Sequence, residues 1–152
     1  MLSISVQGVQ ATVRRLLKVG DAAKNPKPAL QAMEKALASE QEKVFDKEGE
    51  APGFPGWRPL NPTYSARKVK DGFRGKILVR SGKLRMSVSN AQDSNFVSRI
   101  RPQSIEVGTR LNHANFHQYG TKNMPARSVI RVTANMRAIA KKTLADWIRK
   151  WI

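Results

Sequence analysis

The sequence predicts an α+β domain with two N-terminal helices, an antiparallel sheet of about three to four strands and a C-terminal amphipathic helix. Three observations lead there. Apolar residues recur at helical spacing near both ends of the chain, as in Leu30, Met33, Leu37, Val44 and Phe45. They alternate with polar residues at a period of two between residues 84 and 107. A stretch rich in proline and glycine, residues 49–62, separates the two patterns. At 152 residues the chain fits one domain, with a helical part at 1–50, a loop region at 51–76, a sheet region at 77–132 and a closing helix at 133–152.

Taken in order, Leu2, Ile4 and Val6 alternate with Ser3 and Ser5, so residues 2–6 read as a short strand. Val9, Val13, Leu16 and Leu17 then predict a helix from about 7 to 18, ended by Gly20. Asn25-Pro26-Lys27-Pro28 opens a second helix, about 28–48, because proline is tolerated in a first turn. Gly49 stops it. Phe54 and Trp57 then make the following loop too apolar for a free linker. Tyr64 to Lys70 reads as a short basic helix, and residues 71–75 as a second glycine-rich link.

Ser81-Gly82-Lys83-Leu84 reads as a tight turn or helix start with Ser81 as cap. Leu84, Met86 and Val88 alternate with Arg85, Ser87 and Ser89 and predict a strand. Residues 96–101 and Ile105 to Val107 predict two more, giving a meander with one apolar and one basic face. Residues 113–119 form a helical turn. Met136, Ile139, Ala140, Leu144, Trp147, Ile148 and Trp151 make the stripe of a final helix, about 133–151.

The charge is large and uneven. The formal net charge is +17, with 28 Lys and Arg against 11 Asp and Glu. Residues 1–50 hold 8 basic and 7 acidic residues, while residues 51–152 hold 20 and 4. Such a field calls for nucleic acid, an anionic membrane or an acidic protein surface. No apolar run approaches the roughly 18 residues that span a membrane, and the N-terminus does not read as a signal peptide. With no cysteine, disulfides and thiolate metal sites are excluded.

Arrangements for covalent chemistry are missing. His113 and His117 have the spacing of two metal ligands on one helix face, but residue 114 is alanine and no third ligand lies near. The four carboxylates after residue 50 are scattered, Ser81 lacks the flanks of a nucleophile elbow, and Gly72 to Ile77 fails the phosphate-loop spacing. These residues imply no enzyme, no cofactor and no metal.

Five short signatures carry the most information: Gly56-Trp57-Arg58-Pro59-Leu60, Ile77 to Arg85 around Ser81-Gly82, Ile105 to Thr109, Phe116-His117-Gln118-Tyr119-Gly120-Thr121, and Met124-Pro125-Ala126-Arg127. In order and spacing they resemble the phage virion morphogenesis family, the tail-completion proteins of contractile-tailed phages and Mu-like prophages. The chain departs from the family pattern at 110–115, where relatives usually show a Tyr-Ala pair, and after Arg127. The resemblance implies a structural virion protein of the neck or tail end, assembled in the host cytoplasm. Such a protein completes the tail and mediates head–tail joining within a ring, commonly six-fold. The implied partners are other copies of the chain, connector or neck proteins, tail tube or sheath proteins, and DNA passing through the channel.

The residues expected at partner or subunit contacts are Trp57, Arg58, Pro59, Leu60, Arg99, Arg101, His117, Gln118, Tyr119, Arg127, Trp147 and Trp151. Trp57 suits an anchor pinning its loop to a core or a neighbouring subunit. Trp151, near the chain end, suits a subunit contact. The alternative reading is a sequence-nonspecific nucleic-acid-binding protein. The charge supports it, while the sparse aromatics and missing recognition signatures oppose it.

Overall fold

Helix α2, Lys27–Asp46, is the element around which the others assemble. The computed structural model describes residues 9–73, 75–101 and 104–151, and side chains from Val13 onward. Pro28 lies in the first turn of α2, where its missing N–H is not needed. One face of the helix buries Leu30, Ala38, Gln41, Val44 and Phe45. Against that face lie α4, Lys83–Ser89, and α6, Ala134–Arg149. Strands β1, Phe96–Arg101, and β2, Ser104–Thr109, close the layer beside α4 and α2.

The core gathers Val44 and Phe45 of α2, Trp57, Ile77, Leu84 and Val88 of α4, Ala114 and Val129. Much of it therefore comes from loops. Helix α3, Pro62–Lys70, is capped by Asn61, whose side-chain oxygen accepts from the Thr63 and Tyr64 amides. Helix α5, His113–Tyr119, buries Ala114. Helix α1, Val9–Lys24, packs closely on no other described element, and Leu16 and Leu17 are 65% and 63% exposed.

The α+β architecture holds, with the N-terminal helices and the C-terminal helix in place. Four local expectations change. Residues 84–88 are helix rather than strand, because apolar residues at 84 and 88 satisfy the i, i+4 spacing of a helix as well as a period of two. Leu84, Ser87 and Val88 are buried, whereas Met86 faces outward. The sheet accordingly has two strands among the described residues, paired antiparallel from Phe96↔Thr109 to Arg101↔Ser104. Gly82, at φ +80°, occupies the N-cap of α4 in place of Ser81 and makes no side-chain cap bond. Gly20 does not end α1, which continues to Lys24, since an interior glycine weakens a helix by only about 1 kcal/mol. The strand expected at 2–6 lies outside the described residues.

Candidate functional site

Four of the five signatures converge on one region, where they perform two tasks: they clasp distant loops together and they line a cleft. The clasp begins at Trp57. Its indole stacks edge-on against Phe45 at 5.0 Å, and Nε1 donates to the Ser128 carbonyl at 2.8 Å. Gly49, at φ +83°, passes beneath the ring, and a Cβ there would come within 2.5 Å of it.

Arg127 repeats the pattern in the opposite direction. It is only 6% exposed. Its Nε donates to the Arg58 carbonyl at 2.8 Å and Nη2 to the Pro59 carbonyl at 3.0 Å. Its own amide donates to the His117 carbonyl. Burial lowers the guanidinium's pKa from its ordinary value.

Gln118 holds the next residues of the same segment. Its Oε1 accepts from the Val129 and Ile130 amides at 2.7 and 3.0 Å, and its Nε2 donates to the Ile130 carbonyl at 2.9 Å. From the other side, Gln41 of α2 donates to the Val129 carbonyl. One irregular segment, 127–130, is thus tied to the Trp57 loop, to α5 and to α2. Segments without regular structure must find such partners for their backbone groups when they run through a core.

The cleft opens beside the clasp, between α3, the 78–84 turn, α5 and the 123–127 segment. Its volume is about 690 Å³. Leu60, Ser81, Gly82, His117, Met124, Pro125 and Arg127, all signature residues, line it. Lys68, Arg80 and Lys83 add positive charge, and none of the lining residues is acidic. Lys68 is buried and donates to the Lys76 carbonyl at 2.5 Å. Desolvation lowers its pKa, Arg80 lowers it further, and Glu48 opposes both.

His117 is held below the ordinary imidazole pKa first by burial, then by His113 and Arg127. Its Nδ1 is buried without a hydrogen-bond partner. His113 and His117 sit edge to face at 6.1 Å. Among the described residues no group of three His, Cys, Asp or Glu side chains is placed to hold a metal. No helix is long and apolar enough to cross a membrane.

The residues expected at contacts therefore divide. Trp57, Arg127 and Gln118 direct their polar atoms inward, to the chain itself. Leu60 and His117 line the cleft. Arg58 and Pro59 are exposed, and Tyr119 is 79% exposed. Arg99 and Arg101 lie on the outer face of β1, with Glu106 of β2 shared between them at 3.7 and 2.6 Å. Trp147 is half-buried and Trp151 is 41% exposed, their rings 6.5 Å apart along α6.

Two working residues are not among those the sequence singled out. Gln41 had a signal, a polar side chain on the apolar stripe of α2 between Leu37 and Val44. Lys68 had none that separates it from Arg67 or Lys70.

Comparison with known proteins identifies the family. The chain is 31% identical over 116 residues to "Mu-like prophage FluMu G protein 1" of Haemophilus influenzae, covering 72% of this chain and 73% of that protein. It is 32% identical over 77 residues to an uncharacterized protein of Methanocaldococcus jannaschii, covering 49% of this chain and 54% of that one. No solved structure gives a significant match. The model of the phage virion morphogenesis family matches residues 4–148, and the chain belongs to that family.

Proposed function

We propose that the protein is a structural component of the phage neck or tail end. It completes the tail and joins it to the head as a ring of copies, six in the simplest case. Family membership supports the structural role, as does the likeness to a Mu-like prophage protein. The observation that supports the ring is apolar surface on three elements that is exposed among the described residues. Val13, Leu16 and Leu17 on α1, Phe116 and Tyr119 on α5, and Leu144 and Trp151 at the end of α6 are all exposed. Apolar clusters of this kind mark contacts between proteins.

Charge selects the second partner. A chain at +17 is repelled by its own copies at long range, so a stable ring requires an acidic counterpart. In this reading the counterpart is a connector or tail protein, met by the Arg99–Arg101 face and by the cationic cleft. The reading is of a non-catalytic protein: His113 and His117 line the cleft, but no carboxylate among its lining residues pairs with either imidazole for acid–base work.

DNA is the alternative counterpart, favoured by the balance of 20 basic to 4 acidic residues after residue 50. Mass in solution at moderate salt, followed by negative-stain imaging with and without connector or tail proteins, separates the two. Discrete rings support the neck or tail-end role. A monomer that ignores those proteins yet shifts DNA in a salt-dependent way replaces it with the nucleic-acid reading.

A further inference from the structure

The two-stranded sheet leaves a slot beside β2, and its walls specify what fits. On one side run Ile105 to Gly108, four consecutive residues of β2. Consecutive residues line a groove only where a strand turns its edge to it, because side chains alone would contribute every second position. On the other side runs the extended segment from Ile130 to Val132. Apolar side chains of α2 and α6, Met33, Leu37 and Met136 among them, form the floor.

The slot measures about 390 Å³. Among the described residues, β2 makes no backbone hydrogen bond outside its hairpin. An open strand edge beside an apolar floor is a template for one more strand.

We infer that residues 2–6 of a neighbouring copy add to the edge of β2 and fill this slot. The inference deepens the ring reading and rests on it. Three properties of the segment match. Leu2, Ile4 and Val6 alternate with Ser3 and Ser5, which provides one apolar face for the floor and one small polar face for solvent. Five residues in a strand span roughly 16 Å, the length of a short edge such as β2. The segment carries no charged side chain, so it enters a strongly basic protein without added repulsion. Helix α1, which follows the segment in sequence, packs closely on no other described element, and this favours a donor from a neighbouring copy.

The chain has no cysteine, so introduced pairs report without background. Variants combining Ile4→Cys with Ile105→Cys, Val107→Cys or Val132→Cys are oxidised mildly and run without reductant. Facing Cα atoms of adjacent strands lie within disulfide range. The inference expects covalent multimers from at least one pair. Thiol loss at monomer mass would mean the segment fills its own slot, and the exchange is overturned. Rings that form with no cross-link in any pair overturn the inference and leave the ring reading standing. Absence of any assembly, with or without partners, removes both.

A second comparison is independent of cysteine geometry. Ile4→Asp places a charge against the apolar floor and should weaken self-association roughly a hundredfold or more. Ser5→Asp, on the opposite face, should change it less than about threefold. Equal effects of the two substitutions on self-association overturn strand insertion.

Discussion

The indole Nε1 of Trp57 donates to the carbonyl oxygen of Ser128, 71 residues further along the chain, at 2.8 Å. That bond and the two that Arg127 makes in return, to Arg58 and Pro59, join signatures far apart in sequence. Each signature is incomplete alone. The Trp57 loop supplies carbonyls to Arg127, and the Arg127 segment supplies a carbonyl to Trp57. Gln118 of the fourth signature fixes Val129 and Ile130, which follow Arg127 and Ser128.

Trp57→Phe should retain the contact with Phe45 and lose the bond to Ser128, costing about 1 kcal/mol. Trp57→Ala should also open a cavity beside Phe45 and cost about 4 kcal/mol. Urea unfolding followed by circular dichroism measures both. Similar losses for the two would show that packing contributes little here.

Arg127→Lys tests the two-pronged bond. A lysine ammonium cannot donate in parallel to two successive carbonyls as a planar guanidinium does. The expected loss is about 1.5 kcal/mol, since Arg58 and Pro59 are exposed and water can replace part of the bonding. A thermal melt unchanged from wild type would mean that one carbonyl suffices.

Helices and the hairpin were readable from residue pattern because their apolar periods are long or unbroken. The stripe from Leu30 to Phe45 and the alternation in 96–107 each survive as elements. Residues 84–88 failed because five residues are too few to separate a period of two from one of 3.6. Helix α1 outran Gly20 because a glycine ends a helix only where the chain turns into the left-handed region. Gly20 is not among the glycines with positive φ. The clasp was legible only as a set of signatures. That Trp57 meets Ser128, or that Gln118 bonds Val129 and Ile130, depends on chain reversals that no local spacing encodes.

His117 gives the fold a pH dependence. Its folded pKa lies below the ordinary value of 6.5, so the unfolded chain binds the proton more readily. Stability is therefore complete above about pH 6.5 and falls as the pH drops below it, until the folded pKa is passed. Glu106 and Asp146 are held low by Arg101 and Lys142 and lose their contributions further down, below their ordinary 4.5 and 3.8. The decline that begins just below about pH 6.5 thus belongs to His117. Urea midpoints should decline just below that pH in the wild type and stay flat there in His117→Gln. An equal decline in both would assign the effect elsewhere.

Two glycines with positive φ should respond differently to alanine. Gly82 and Gly120 have φ of +80° and +77°, but ψ of −9° and 177°, so Gly82 is left-handed helical and Gly120 sits in a region essentially reserved for glycine. A Cβ on Gly82 meets nothing within 4 Å, whereas one on Gly120 lies 2.8 Å from the Ala126 nitrogen and 2.9 Å from the Met124 oxygen. Gly82→Ala carries only the left-handed strain, about 1 kcal/mol. Gly120→Ala adds a collision with backbone that is fixed by the Thr121–Met124 bridge, for a total of about 3 kcal/mol or more. Equal losses in thermal unfolding would mean that the 120–126 turn relaxes freely.

Arg99 and Arg101 test the acidic-partner reading most directly. Both guanidiniums are largely exposed, and both lean on the single carboxylate of Glu106. Exposed pairs of this kind contribute little, so Arg99→Glu with Arg101→Glu should change stability by no more than about 1 kcal/mol. An acidic ring seated on this face would instead meet two like charges, which is costly at a contact. Infectious joined particles should fall at least tenfold while circular dichroism and melting stay near wild type. Lys35→Glu with Lys47→Glu alters net charge equally on exposed positions of α2 and its C-cap, and serves as the control. Loss of joining in the Arg99–Arg101 variant alone places the acidic partner on β1. Equal loss in both variants would assign the requirement to overall charge, as DNA or diffuse attraction demands. Wild-type joining in the reversed variant would remove the sheet face from head–tail contact altogether.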